Sequence, residues 1–268
     1  MTSTADRTRL FHALHQPGPL ALPNAWDVAS ALVSEAAGAK AVATTSAGVA
    51  WTLGAPDGNR VDRDRVIDLV ARIARAVSVP VTADIESGFG EDAQAVGATA
   101  KAITEAGASG VNIEDGIGGA LRDAEEQKER LAAAREAAPD LYINARIDVY
   151  LRGIGEPEGR LRHTLDRAAA YLEAGASGIF VPGVTDLEIV TELAKGIAAP
   201  LNVLVGPGAP AVDELAKAGV ARMSLGSAVA EAAYAVARRA AEELLTQGTY
   251  VSVENGIEYG ELNALFRG

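Results

Sequence analysis

A (β/α)8 TIM barrel of the α/β class is the fold this sequence predicts, on three observations. One phrase, a helix end followed by Ala-Gly and an apolar run, occurs at Gly38, Gly107, Gly175 and Gly219. A second phrase, a helix end followed by proline and an apolar run, falls between these at Pro80, Pro139 and Pro200. The two alternate strictly, and with a first apolar run at 20–24 they mark eight strands in 268 residues. Glycine supplies a left-handed C-cap and proline cannot continue a helix, so both phrases are helix stops. Eight such units in one chain of this length indicate a closed barrel rather than an open doubly wound sheet.

The predicted strands are 20–24, 41–46, 81–86, 110–115, 141–148, 178–183, 201–206 and 222–227. Amphipathic, alanine-rich segments at about 27–37, 62–77, 91–106, 123–138, 159–174, 185–197, 211–218 and 227–246 read as the helices between and after them. Arg63, Arg65, Arg72 and Arg75 form a solvated helix face. The likeness of EAGASGVNIEDG to EAGASGIFVPG reflects good turn sequences rather than a functional duplication. One domain over 1–268 is expected, with 228–268 as a C-terminal helical segment and tail.

Composition narrows the function. The chain has no cysteine, which excludes disulfides, thiolate metal sites and cysteine nucleophiles. The opening MTSTADRTRLFHAL has no long apolar segment, and no run approaches the roughly 20 apolar residues of a membrane span. A cytoplasmic protein without a membrane is therefore expected. A net charge of -12 argues against nucleic acid or an anionic membrane as partner. An anionic substrate then needs a local cation.

In a barrel of this kind the reactive groups sit at strand C-termini and in the loops that follow. The third strand runs into ADIESGFG, where period-two alternation puts Asp84 and Glu86 on one face. The fourth ends NIED, adding Glu114 and Asp115. Acids gathered at one mouth repel each other, and a hard divalent cation such as Mg2+ resolves the conflict. On the fifth strand Asn144, Arg146 and Asp148 share a face. Arg146 either neutralises the acids or clamps a substrate carboxylate, and the second reading is preferred because a metal would already balance the acids. Asp27 is as well placed to cap a helix as to act chemically, and Trp26 is a candidate wall of the pocket. The hydroxyls and small residues at Thr45, Ser46, Ala47 and Gly48 let backbone amides approach an anion. Asn112 and Asn202 are further candidate substrate contacts, and the polar connection WTLGAPDGNR reads as a mobile lid carrying Asp57. His12, His15 and His163 fall far from the strand C-termini. The turns at Gly206 and Gly226 lack the lysine or arginine a phosphate site would favour.

Taken in order, LPNAWDVASA, TTSAG, ADIESGFG, GVNIEDG, NARIDVYL, IFVPG and ARMSLGSA resemble the isocitrate lyase and phosphoenolpyruvate mutase superfamily over nearly the whole chain. The resemblance implies Mg2+, or alternatively Mn2+, held partly through water by Asp84, Glu86 and Glu114. It implies a 2-oxo or 2-hydroxy carboxylate bound by Thr45, Ser46, Ala47, Gly48 and Arg146, with Asp57 as the acid of a mobile segment. It also implies a homo-oligomer, dimer or tetramer, in which the eighth helix is exchanged between subunits.

The sequence departs from that family after Glu114. The lyases' K-K-C-G-H motif is replaced by DGIGGALRD, with no cysteine, and the lysine and asparagine of the phosphorus–carbon enzymes are absent from 116–120. Pro182 stands where some members carry histidine. The glycines predict a short, mobile flap with Arg122 as the nearby cation. The expected function is a Mg2+-dependent carbon–carbon lyase or decarboxylase for an oxaloacetate-like or alkylmalate-like acid. A phosphonopyruvate mutase or hydrolase and a non-catalytic 2-oxo acid binder are the alternatives.

Overall fold

The protein is described by a computed structural model covering residues 3–16 and 18–267. Residues 1, 2 and 268, at the ends of the expected domain and tail, and Pro17 lie outside the described residues. Helix α1 (Thr4–Ala13) precedes strands β1 (Leu20–Leu22) and β2 (Asn24–Ala25), then α2 (Val28–Ala36), β3 (Val42–Thr44), α3 (Ser46–Thr52) and α4 (Arg63–Ala76). Next come β4 (Val81–Asp84), α5 (Ala93–Glu105), β5 (Gly110–Glu114), a hairpin of β6 (Gly116–Ile117) and β7 (Ala120–Leu121), and α6 (Ala124–Ala137). The second half holds β8 (Tyr142–Arg146), α7 (Pro157–Glu173), β9 (Gly178–Val181), α8 (Leu187–Gly196), β10 (Leu201–Leu204), α9 (Val212–Lys217), β11 (Arg222–Ser224), α10 (Ala228–Gln247) and α11 (Tyr259–Ala264).

The main sheet is parallel, in the order β1-β11-β10-β9-β8-β5-β4-β3-β2. Strands β1 and β2 are two halves of the single predicted strand, separated by Pro23, which has no amide to donate. The two edges of the sheet are therefore consecutive residues, and the predicted (β/α)8 barrel closes. Asn24 fastens this seam. Its Nδ2 donates to the Thr44 carbonyl at 3.1 Å, and its Oδ1 accepts from the amides of Leu225 and Gly226 at 2.9 and 2.8 Å.

Local chemistry explains why the elements fall where they do. In α4, Val66, Leu69, Val70 and Ile73 recur at helical spacing and are buried, whereas Arg65, Arg72 and Arg75 are exposed and Arg63 half-buried. Side chains of Asp27, Asp62, Asp92, Asp123 and Asp186 accept first-turn amides, fixing five helix starts. Asp27 is thus the cap that its sequence context allowed. The strands end earlier than predicted, because the chain turns before the last acids: Glu86 has φ 52° and Phe89 φ 50°.

Outward-facing strand residues such as Val81, Ala83, Val111, Ile113, Ile143, Ala145, Ile179 and Val203 form one continuous core with the helices. The barrel interior differs. At its lower end Phe11 from α1 packs with Leu20, Leu22, Ala41, Ala43 and Tyr142, and His15 stacks on Tyr142 at 4.1 Å. Above this plug the lining is polar. Asn144 Nδ2 donates to Asn112 Oδ1 at 2.9 Å, and the fully buried Arg222 reaches the same oxygen through Nη2 at 3.3 Å. Burial lowers the Arg222 guanidinium to about 10, so it stays cationic at neutral pH.

Beyond the barrel, α10 buries only Ala230 and Glu243. Tyr234, Val236, Leu244 and Leu245 on it are exposed, as are Tyr250, Val251, Val253, Ile257, Tyr259 and Phe266 in the tail. No described helix is long and apolar enough to cross a membrane.

Candidate active site

The acids at the upper mouth are set by strand register. Asp84 pairs with Asn112, Asn112 with Asn144, and Glu114 with Arg146. Asp84 ends β4; its Oδ1 accepts the Glu86 amide at 3.0 Å and its Oδ2 lies 3.4 Å from Asn112 Nδ2. Its own amide donates to Thr44 Oγ1 at 2.9 Å, tying β4 to β3. Glu86 stands beyond the strand in the left-handed region, so turn geometry rather than strand alternation aims it. Its Oε2 accepts the backbone amide of Asn59, and Ser87 Oγ donates to Asn59 Oδ1 at 2.9 Å. The exposed residue Asp57 thus belongs to a segment that Asn59 joins to the end of β4.

Arg146 lies amid these acids. Its Nη1 is 2.8 Å from Glu114 Oε2 and 3.9 Å from Asp84 Oδ2. Its Nε and Nη2 donate to Asp148 at 2.7 and 3.2 Å. In the structure, then, Arg146 is ion-paired with the carboxylates of the mouth. Burial still dominates the acids' protonation: it pushes Glu86 up to about 7 and Glu114 up to about 8, and raises Asp84.

Two expectations are corrected. Asp115 does not join the mouth, because the chain turns at the end of β5. Its Oδ2 accepts from Arg167 Nη1 at 3.0 Å and Tyr171 Oη at 2.8 Å behind the strands. Arg122 is not the cation of the flap, since its side chain is buried and pairs with Glu126. The flap itself is a two-stranded hairpin, β6 with β7. The guanidinium beneath it is Arg152, whose Nε donates to Asp148 Oδ2 at 2.9 Å and whose Nη2 is 3.9 Å from Glu114.

At the end of the neighbouring strand β3, Thr45 precedes α3, whose first-turn amides at Ser46, Ala47 and Gly48 have no acceptor within the helix. A Cβ on Gly48 would stand 2.7 Å from Trp26 Cβ and 2.8 Å from Thr45 Cγ2, so Gly48 lets Trp26 pack against this turn. Asn202 is buried, and neither amide atom finds a partner among the described residues.

The sequence matches the family model of phosphoenolpyruvate phosphomutase over residues 11–245. The chain belongs to the isocitrate lyase and phosphoenolpyruvate mutase superfamily. A Mycobacterium tuberculosis protein of uncharacterised function is 37% identical over 256 residues, 95% of each chain. Escherichia coli 2-methylisocitrate lyase is 33% identical over 225 residues, 78% of this chain and 74% of its own. The crystal structure of a Burkholderia cenocepacia J2315 protein assigned as a lyase/mutase superposes with a TM-score of 0.91 at 37% identity, covering 99% of this chain and 97% of that one.

In this superfamily member, no three Asp, Glu or His side chains among the described residues form a preassembled metal-ligand group. Glu86 is turned to the lid and Glu114 to Arg146. The donor chemistry nonetheless suits a hard cation. Asp84, Glu86, Glu114 and Asp148 face the two guanidiniums Arg146 and Arg152, and once all four acids are ionised their surplus of two negative charges would equal one divalent ion.

Sequence reasoning missed the struts behind these acids. Arg130 of α6 donates to the carbonyls of Ser87, Gly90 and Glu91 at 2.9, 2.7 and 3.1 Å, and Gln127 Nε2 to that of Glu114 at 3.2 Å. One helix face thereby holds the ends of both acid-bearing strands. Arg130→Ala leaves those carbonyls without their donor and is expected to lower unfolding stability by about 3 kcal/mol, read from urea titration. The visible signal was a lone arginine on an otherwise buried helix stripe.

Proposed function

We propose that the protein is a Mg2+-dependent carbon–carbon lyase or decarboxylase acting on a small 2-oxo or 2-hydroxy dicarboxylate. The observation that carries the reading is the acid cluster at the barrel mouth, with Arg146 inside it and the uncapped amides of Ser46, Ala47 and Gly48 at the end of the next strand. Membership in a superfamily that includes 2-methylisocitrate lyase supports it.

Asp84, Glu86 and Glu114 are the residues that would hold the ion, with water completing its oxygen shell. When bound, Mg2+ supplies positive charge against the oxo and carboxylate oxygens as an enolate develops. The protein's own groups do the rest. Arg146, with N–H donors left beyond those spent on Glu114 and Asp148, orients the reacting carboxylate. The α3 amides and Thr45 hold its other oxygen, Trp26 and Gly48 shape the wall, and Asn112 fixes Asp84 from below. Asn202 offers both amide atoms to the ligand or its bridging water. Asp57 arrives with the lid as the acid–base group, and the Asn59–Glu86 bond holds that lid against the site, excluding water. The exposed apolar surface of α10 and the tail supports a homo-oligomer in which that helix is exchanged between subunits.

A panel of oxaloacetate, alkylmalates and phosphonopyruvate tests the reading. Expected is Mg2+-dependent release of pyruvate or a glyoxylate-type fragment from a dicarboxylate; turnover of phosphonopyruvate alone would overturn it. The acids add a pH test. Glu86 and Glu114 hold protons more tightly folded than unfolded, so without a divalent ion stability is greatest below their ordinary range near 4.5 and falls as pH rises to about 8. Melting temperatures are expected to drop between pH 6 and 8 in chelator, and Mg2+ to raise them more at pH 8 than at pH 6. An equal Mg2+ effect at both pH values would count against carboxylate ligation.

A further inference from the structure

We propose that Arg152 binds the second carboxylate of the substrate and so makes the site selective for diacids. This rests on the dicarboxylate reading above, and deepens it by assigning a residue to the far end of the ligand.

The argument begins with the two guanidiniums that share Asp148. Asp148 is fully buried, and its amide donates to Asp115 Oδ1 at 2.9 Å, so its carboxylate is a fixed bracket. Arg146 spends Nε and Nη2 on that bracket and Nη1 on Glu114. Arg152 spends only Nε, at 2.9 Å from Asp148 Oδ2. Among the described residues its Nη1 and Nη2 make no hydrogen bond, and Nη2 stands 3.9 Å from Glu114 Oε1. The side chain is 26% exposed, against 14% for Arg146. A fork anchored at its neck with both prongs unspent is the geometry that receives a carboxylate in a bidentate pair.

The surroundings are cut to this side chain. The backbone turn in which the Arg152 amide donates to the Asp148 carbonyl at 3.0 Å brings the pair together. Gly116, at the start of the hairpin, leaves the space the guanidinium occupies. A Cβ there would stand 2.5 Å from Arg152 Nε and Nη2. The other cation of this segment, Arg122, is buried and committed to Glu126. A chain of net charge -12 needs a dedicated cation for a second anionic group, and at the mouth Arg152 is the cation whose two terminal nitrogens make no hydrogen bond among the described residues.

The test is calorimetric binding of two anions in Mg2+, with 19F spectra verifying that the fluorinated one is recovered intact. Oxalate fills the carboxylate and oxo positions; 3,3-difluorooxaloacetate adds a further carboxylate on a CF2 arm. Arg152→Gln is expected to weaken difluorooxaloacetate by about 30-fold or more while changing oxalate less than about threefold. Arg152→Lys, which keeps charge without the fork, is expected to fall between. Gly116→Ala, which crowds the guanidinium without removing it, is expected to reproduce the selective loss. Equal weakening of both anions would overturn the assignment, leaving Arg152 as support for Asp148 and Arg146. No weakening of either would overturn it as well. Failure of the unaltered protein to bind either anion would sink the dicarboxylate reading itself, and this assignment with it.

Discussion

Asp84→Ala is expected to lower kcat/KM for the dicarboxylate substrate by roughly a thousandfold, or about 4 kcal/mol of transition-state stabilisation. Asp84 meets the Glu86 amide, Asn112 and Arg146 at once, so its loss removes both charge and alignment from the mouth. Asp84→Asn separates the two. It keeps an oxygen for the Glu86 amide but carries no charge, and a loss of the same order locates the effect in the carboxylate. Steady-state kinetics across a Mg2+ titration, with circular dichroism to verify the fold, make the measurement. A drop below tenfold in both variants would remove Asp84 from the site.

The largest stability effect is expected away from the mouth, at Asp115→Ala. Asp115 is fully buried and accepts from Arg167, Tyr171 and the Asp148 amide at 3.0, 2.8 and 2.9 Å. Truncating it strands a nearly buried guanidinium, which costs about 3–5 kcal/mol. The urea midpoint is expected to fall with little change in slope. Replacing both partners, as Asp115→Leu with Arg167→Met, is expected to recover much of that loss, because no unpaired charge remains. A cost below 1 kcal/mol for the single variant would show that Arg167 finds water instead.

The helices and strand order were readable because their stops are local. Glycine past a helix and proline before a strand act within a turn, and the predicted helix bounds fall within about two residues of those observed. Short elements left weaker traces. Helix α3 has seven residues, most of them small, and read as the end of a strand and a loop. Asp84, Glu86, Glu114 and Arg146 were legible because acids at consecutive strand ends are costly without a reason. Their neighbours were less so. Alternation along a strand gives a side chain's face only while the strand lasts, and both Glu86 and Asp115 lie past its end. Arg152 was missed because a single backbone turn, not a helix or strand, brings it to Asp148. Arg222 had left a signal, one charge within an apolar strand, whose meaning depended on which side of the sheet faced inward.

The seam at Asn24 has a kinetic consequence for synthesis of the chain. Its side chain joins residues 201 and 202 positions away, so the barrel has two open sheet edges until its last strand is available. A ribosome must release Ser224 before β1 can pair with β11, and until then the nascent sheet presents unpaired backbone groups at β1 and at whichever strand was made last. Chains interrupted before that point keep the open edges through which sheets pair with one another, and Asn24 is the side chain that fastens the closed seam.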